Sequence, residues 1–287
     1  MTLIAVSAAS FGAMPIFARA AYDGGTDVTA LLFLRFTIAA ACMVALVRLR
    51  RQPWPQGRVL AGLVALGGVG YVGQSLCYFT ALTMASASLV ALLLYAYPAI
   101  VVVLSALLLG TRLTPARAGA LGLAVVGAGL TVGPALSGRP LGVALGLGAA
   151  LIYSVYILAG SRMAGSGGPL ASSAVVISAA AVVYAAVVAV QRPAFPSTAG
   201  AWIAVVAIAL VSTVVAISTF FAGMDHLGAA DASTLSTLEP VVTVVLAWAL
   251  LGEGLTALQV VGGALVLAAV LVLARAPATL DRAGRPR

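Results

Sequence analysis

Residues 98–114 read PAIVVVLSALLLGTRLT, and residues 240–256 read PVVTVVLAWALLGEGLT. Pro98 faces Pro240, and Val102-Val103-Leu104 faces Val244-Val245-Leu246. Leu108-Leu109-Gly110 faces Leu250-Leu251-Gly252, and Leu113-Thr114 faces Leu255-Thr256. Nine of these seventeen positions agree at a constant offset of 142 (240 − 98), close to half of the 287-residue chain. The chain therefore reads as two copies of one unit. In a sequence that is 63 % hydrophobic, such a duplication marks a membrane transporter built from two repeats.

Composition points the same way. Only 8 % of residues are charged and the mean hydropathy is +1.17, whereas a soluble domain carries about 25 % charge. All fifteen basic residues are Arg, which reads as the codon bias of a GC-rich bacterial genome. The absence of Lys excludes a Walker A phosphate loop. A single His excludes a multi-His metal site, and Cys42 and Cys77 lie in apolar runs as packing residues. The isoelectric point near 10.2 is explained by arginines between hydrophobic runs and calls for no nucleic acid.

A span needs about 20 mainly apolar residues. Breaks at Pro, Gly and Arg clusters give ten, near 2–20, 28–47, 59–82, 86–109, 115–134, 140–161, 170–190, 200–222, 229–251 and 257–274. Residues 2–20 read as a span and not as a cleaved signal, which needs a basic region and a small-residue cleavage site. With a cytoplasmic start, eleven arginines (48, 50, 51, 58, 112, 117, 162, 275, 282, 285, 287) fall on the cytoplasmic side. Arg19, Arg139 and Arg192 fall outside. Both termini are expected in the cytoplasm, in a bacterial inner membrane. Five spans per copy is an odd number, so the second copy enters the membrane inverted. The expected fold is an all-α integral membrane protein of ten transmembrane helices in two inverted five-helix repeats. These cover residues 1–138 and 139–275, with an Arg-rich cytoplasmic tail over 276–287.

Phe11-Gly12 followed by Arg19, Leu34-Arg35-Phe36 in the second span, and a proline with a Leu-Gly-Glu-type ending in the fourth and ninth spans form a pattern. It resembles the drug/metabolite transporter superfamily and, within it, the EamA-type carriers, from about residue 5 to 275. The resemblance implies ten spans in two repeats and a transport function, with export favoured over import. The chain departs from that pattern in three places. Leu109-Gly110-Thr111-Arg112 stands opposite Leu251-Gly252-Glu253, Phe11 stands where Trp is frequent, and Ile177 stands opposite Arg35.

Few polar residues lie deep in the spans. Glu239, about ten residues into the ninth span, sits near mid-membrane, where an ionised acid costs at least about 2.5 kcal/mol and must face the bundle interior. It reads either as a proton-coupling or amine-binding carboxylate, or as a hydrogen bond between helices. Tyr97 stands at the equivalent position, and Tyr95 opposite Thr237; lying two apart, they cannot both face one cavity squarely on a regular helix. Pro98 and Pro240 remove backbone hydrogen bonds and are expected to kink their helices, exposing carbonyls. Arg35 reads as a ligand for a substrate carboxylate, an ion-pair partner of Glu239, or a snorkelling structural residue. Tyr71, Gln74 and Tyr78 form one face of the third span, and Tyr153 and Tyr156 lie in the sixth. These are cavity wall or interhelical glue. Asp225, His226 and Asp231 flank a turn, as a proton relay or a solvated helix end. Glu253 reads as a cap for the tenth helix or a partner for a loop arginine.

The leading expectation is a secondary transporter for a small zwitterionic, neutral or amphipathic metabolite, working by alternating access and exchanging a proton at Glu239. An uncoupled facilitator, an importer, and a structural or sensory membrane protein are the alternatives. An intramembrane enzyme is disfavoured, since Gly165-Ser166-Gly167 lies in a turn with one distant His. The expected partners are the substrate, the bilayer and a proton, with a homodimer left open. Neither cofactor nor metal is called for.

Overall fold

In hydrocarbon an apolar chain satisfies its backbone only by closing its hydrogen bonds internally. The computed structural model describes residues 1–109, 114–132, 140–161, 168–228, 232 and 235–275, and these are almost entirely helical. Eight helices are long and apolar enough to span: α1 (Thr2–Asp23), α2 (Val28–Leu49), α3 (Gly57–Met84), α4 (Ala87–Leu108), α6 (Pro140–Ser161), α7 (Gly168–Gln191), α8 (Ala199–Leu227) and α10 (Ala257–Arg275). Two shorter apolar helices complete the set, α5 (Pro115–Thr131) and α9 (Leu238–Leu251). The expected repeat junction at 138/139, the tail from 276, Asp231 and Gly165–Gly167 lie outside the described residues.

The packing follows the duplication. Helix α2 packs on α7, α5 on α10 and α4 on α9, while α3 packs on α6 and α1 on α8. Exchanging α1–α5 with α6–α10 turns each pairing into itself or into another of the set. The repeats interlock rather than forming two domains. Glycines permit the closest approaches: a Cβ on Gly127 would meet the Gly262 carbonyl at 2.6 Å, where α5 crosses α10. The core lies between α2, α3 and α7, around Phe36, Phe79, Met43, Ile177 and Tyr184. Leu107, Val182, Ile203 and Trp248 project outward as lipid-facing surface.

Hydrogen bonds gather four loops at one end. Asp27 of the α1–α2 loop accepts the Ala194 amide through Oδ2 (2.7 Å), and its own amide donates to the Ala194 carbonyl (3.0 Å). The Ser197 hydroxyl donates to the Gly24 carbonyl at 2.8 Å. Arg19 donates to the Ala85 carbonyl at the end of α3. Glu253 does not cap α10: its carboxylate accepts the Ala87 and Ser88 amides (2.8 and 3.1 Å) and the Ser88 hydroxyl (3.0 Å), capping α4. The reason is geometric, since the α9–α10 turn meets the open N-terminus of α4, whose amides have no helical acceptor. The α10 start is closed instead by Thr256 and Gln259 as a capping box.

Candidate functional site

Three helices are interrupted just ahead of a proline. Helix α1 breaks at Ala13 before Pro15, and α4 at Tyr95–Ala96 before Pro98. The ninth span, expected as one run over 229–251, instead turns at Thr237, and α9 proper starts at Leu238. Glu239 thus lies in the first turn of a new helix rather than ten residues inside a continuous one. It remains deep, because it faces the break halfway along α4.

The carbonyls freed at two of these breaks are not left to the cavity. Pro240 cannot donate to the carbonyl of Ser236, four residues back. The Tyr95 hydroxyl takes that place at 3.0 Å, and the same oxygen lies 3.0 Å from Oε2 of Glu239. The Gly12 carbonyl accepts from the Thr243 hydroxyl at 2.8 Å. Gly12 also fixes the backbone of Glu239, since a Cβ there would meet the Glu239 carbonyl at 2.7 Å. Contact between α1 and α9 therefore places the carboxylate.

The breaks converge on an internal cavity with two lobes, of about 320 and 120 Å³, both lined by Glu239, Phe11, Tyr71, Tyr95, Tyr97 and Tyr153. Tyr156 belongs to the larger lobe, and Gln74, Tyr78 and Arg35 to the smaller. All nine sequence-derived candidates thus line one cavity. Tyr95 and Tyr97 both face it, against the expectation from helical spacing, because the α4 break at Tyr95–Ala96 resets the angle between them. The rings form a continuous wall: Tyr95 and Tyr97 are 6.0 Å apart, Tyr97 and Tyr153 4.9 Å, Tyr153 and Tyr156 5.8 Å, and Tyr156 and Tyr71 5.8 Å.

Arg35 makes no ion pair with Glu239. It is 2 % exposed, donating from Nε to the Thr213 hydroxyl at 3.0 Å and from Nη2 to the Tyr71 hydroxyl at 3.4 Å. The Phe36 and Phe79 rings flank its guanidinium at 4.9 and 5.2 Å, so cation–π contact replaces a carboxylate as its electrostatic partner. Asp225 and His226 sit exposed at the end of α8 and do not line the cavity.

Sequence reading missed Thr213, Thr243, Ser173 and the Phe220-Phe221 pair. Hydroxyls and aromatics in apolar runs look like packing until a break turns them inward. One signal was available: Gly67-Gly68-x-Gly70 sits in a π-helical turn of α3 (Leu66–Tyr71), and α8 has its own over Leu210–Val215. Such turns widen a helix and collect at functional positions.

An apolar helical bundle with an acid, an arginine and a row of tyrosines around an internal cavity has the make-up of a multi-pass membrane transporter. The sequence pattern of the EamA-like transporter family matches residues 1–133 and again 140–275, and the chain belongs to that family. It is similar to an "Uncharacterized transporter" of Archaeoglobus fulgidus, 26 % identical over 278 residues and 94 % of each chain. A solved crystal structure of a protein matches with a TM-score of 0.65 at 26 % identity, covering 94 % of this chain and 95 % of its own.

Proposed function

We propose that the protein is a secondary carrier that moves a small zwitterionic, neutral or amphipathic metabolite out of the cell. It works by alternating access in a bacterial inner membrane with both termini cytoplasmic, and Glu239 exchanges a proton against substrate. The observation that carries this reading is the Tyr95 hydroxyl, placed at 3.0 Å from both the Glu239 carboxylate and the Ser236 carbonyl.

A hydroxyl has one hydrogen to give and lone pairs to receive another. With Glu239 ionised, Tyr95 donates to the carboxylate. With Glu239 protonated, the acid donates to Tyr95, which turns its own hydrogen to Ser236. One geometry serves both protonation states, so a proton can leave or arrive with little rearrangement.

Transport rather than catalysis fits the rest of the cavity. Its wall is aromatic, its one acid and one arginine sit in a shared space, and inverted repeats supply two equivalent ways to close it. The cavity lies towards the end where the chain starts, with Ser7 and Ala8 of α1 and Ser173 of α7 in its larger lobe. The four-loop network closes the opposite end, which corresponds to an inward-facing arrangement.

The test compares metabolites released by cells carrying wild type, Glu239→Gln or an empty vector at matched surface expression. The expected result is a compound released by wild type alone. Release by both variants would reduce Glu239 to a scaffold residue, and no difference among the three would overturn export.

A further inference from the structure

Arg35 joins two residues that the duplication makes equivalent. Tyr71 and Thr213 stand 142 positions apart (213 − 71), the offset of the repeats. Each lies in the π-helical turn of its own copy of the third helix, Tyr71 at the end of Leu66–Tyr71 and Thr213 within Leu210–Val215. Arg35 reaches both from α2. Its own counterpart is Ile177, fully buried and with no polar group to offer. A single arginine therefore serves both repeats where a symmetric pair would be expected.

We propose that Arg35 is a positioning residue that ties the two π turns together, so that the cavity opens to one face at a time. The inference rests on the carrier reading above. A π turn carries a wider backbone ring than the helix around it and marks a place where a helix can change its winding. The Thr213 hydroxyl already spends its hydrogen on the Ile208 carbonyl, five residues back (3.0 Å), which is the spacing of the turn itself. Its lone pair is what Arg35 holds, so movement in the α8 turn is transmitted to the guanidinium. At the other end Tyr71 stacks edge-on against Phe36 (5.3 Å), lies 5.8 Å from Tyr156, and lines both lobes. The planar fork of Arg suits two partners in fixed directions, which the point charge of Lys cannot match. Two of its five N–H donors are spent on Thr213 and Tyr71 and aromatic rings flank it, so its positioning role is exerted through Tyr71, which lines both lobes.

The test requires no knowledge of the substrate. Cys42 and Cys77 are replaced by Ala, and a single cysteine is placed at Leu94 in the smaller lobe or at Ser173 in the larger. Labelling by a membrane-impermeant thiol reagent is followed in right-side-out and inside-out vesicles. With Arg35 present, both cysteines should label from the face that carries the N-terminus. Arg35→Lys and Thr213→Val should each raise labelling of Leu94→Cys from the opposite face about fivefold or more, while Thr213→Ser should keep the parental pattern. If Arg35→Lys fails to fold, Thr213→Val decides alone. Unchanged labelling in the folded variants, or Thr213→Ser behaving like Thr213→Val, would overturn the proposal. A wild type that transports nothing would instead sink the carrier reading.

Discussion

The Tyr95 hydroxyl oxygen stands 3.0 Å from Oε2 of Glu239, and the contact crosses from the first repeat to the second. It is one of the contacts by which the fourth helix of each repeat meets its counterpart, at the level where both are broken. Tyr95→Phe removes the only hydrogen available to the Ser236 carbonyl from this direction and strips Glu239 of its partner. Leaving such acceptors unsatisfied costs about 1–3 kcal/mol. The expected outcome is a lower thermal midpoint in fluorescence-detected gel filtration and a release rate reduced towards that of Glu239→Gln. A Tyr95→Phe protein that transports at the wild-type rate would show that Glu239 works without the hydroxyl.

On the inward-facing reading, Glu253 helps to hold the end opposite the cavity shut. Three hydrogen bonds from Ala87 and Ser88 converge on one carboxylate at a helix N-terminus. A cap of this kind contributes about 0.5–2 kcal/mol. Glu253→Ala should lower the thermal midpoint and raise thiol labelling of a cysteine at Leu94 from that end. Labelling at the parental rate would assign the closure to the Asp27–Ala194 and Gly24–Ser197 pairs instead.

Two glycines should behave in opposite ways. A Cβ on Gly12 would meet the Glu239 carbonyl at 2.7 Å and Val242 at 2.9 Å, whereas one on Gly148 would meet nothing within 4 Å. Overpacking the first contact costs about 1–3 kcal/mol. Gly148→Ala gains up to about 1 kcal/mol of helix propensity. Thermal midpoints of Gly12→Ala and Gly148→Ala should therefore move apart, down and up, with transport lost only in the first. Equal midpoints would mean that α1 and α9 separate without consequence.

Much of this was legible in the chain itself. The 142-residue offset gave the duplication, and the scarcity of polar residues in the spans picked out all nine cavity candidates, because each polar group in hydrocarbon must turn inward. The breaks were less legible. Pro98 and Pro240 announced irregularity, but the position of the turn depends on which side chain can satisfy the released carbonyl. That partner lies on another helix, as Tyr95 does for Ser236 and Thr243 for Gly12. Regular helical spacing therefore separated Tyr95 from Tyr97, which the structure brings together. Glu253 misled for a related reason: its sequence neighbour α10 supplies its own cap, and the free amides belong to α4, more than 160 residues away. Thr213 was invisible because a hydroxyl that bonds its own helix looks like any other span residue.

The most direct test of the carrier reading is counterflow. Purified protein is placed in liposomes loaded with the unlabelled compound that wild-type cells release, then diluted into a trace of the labelled compound. The account predicts transient accumulation of label inside, together with net movement driven by an imposed pH gradient, and loss of the gradient-driven component in Glu239→Gln. Label that only equilibrates, at a rate indifferent to the internal pool and to pH, would contradict alternating access with proton exchange and leave an uncoupled facilitator.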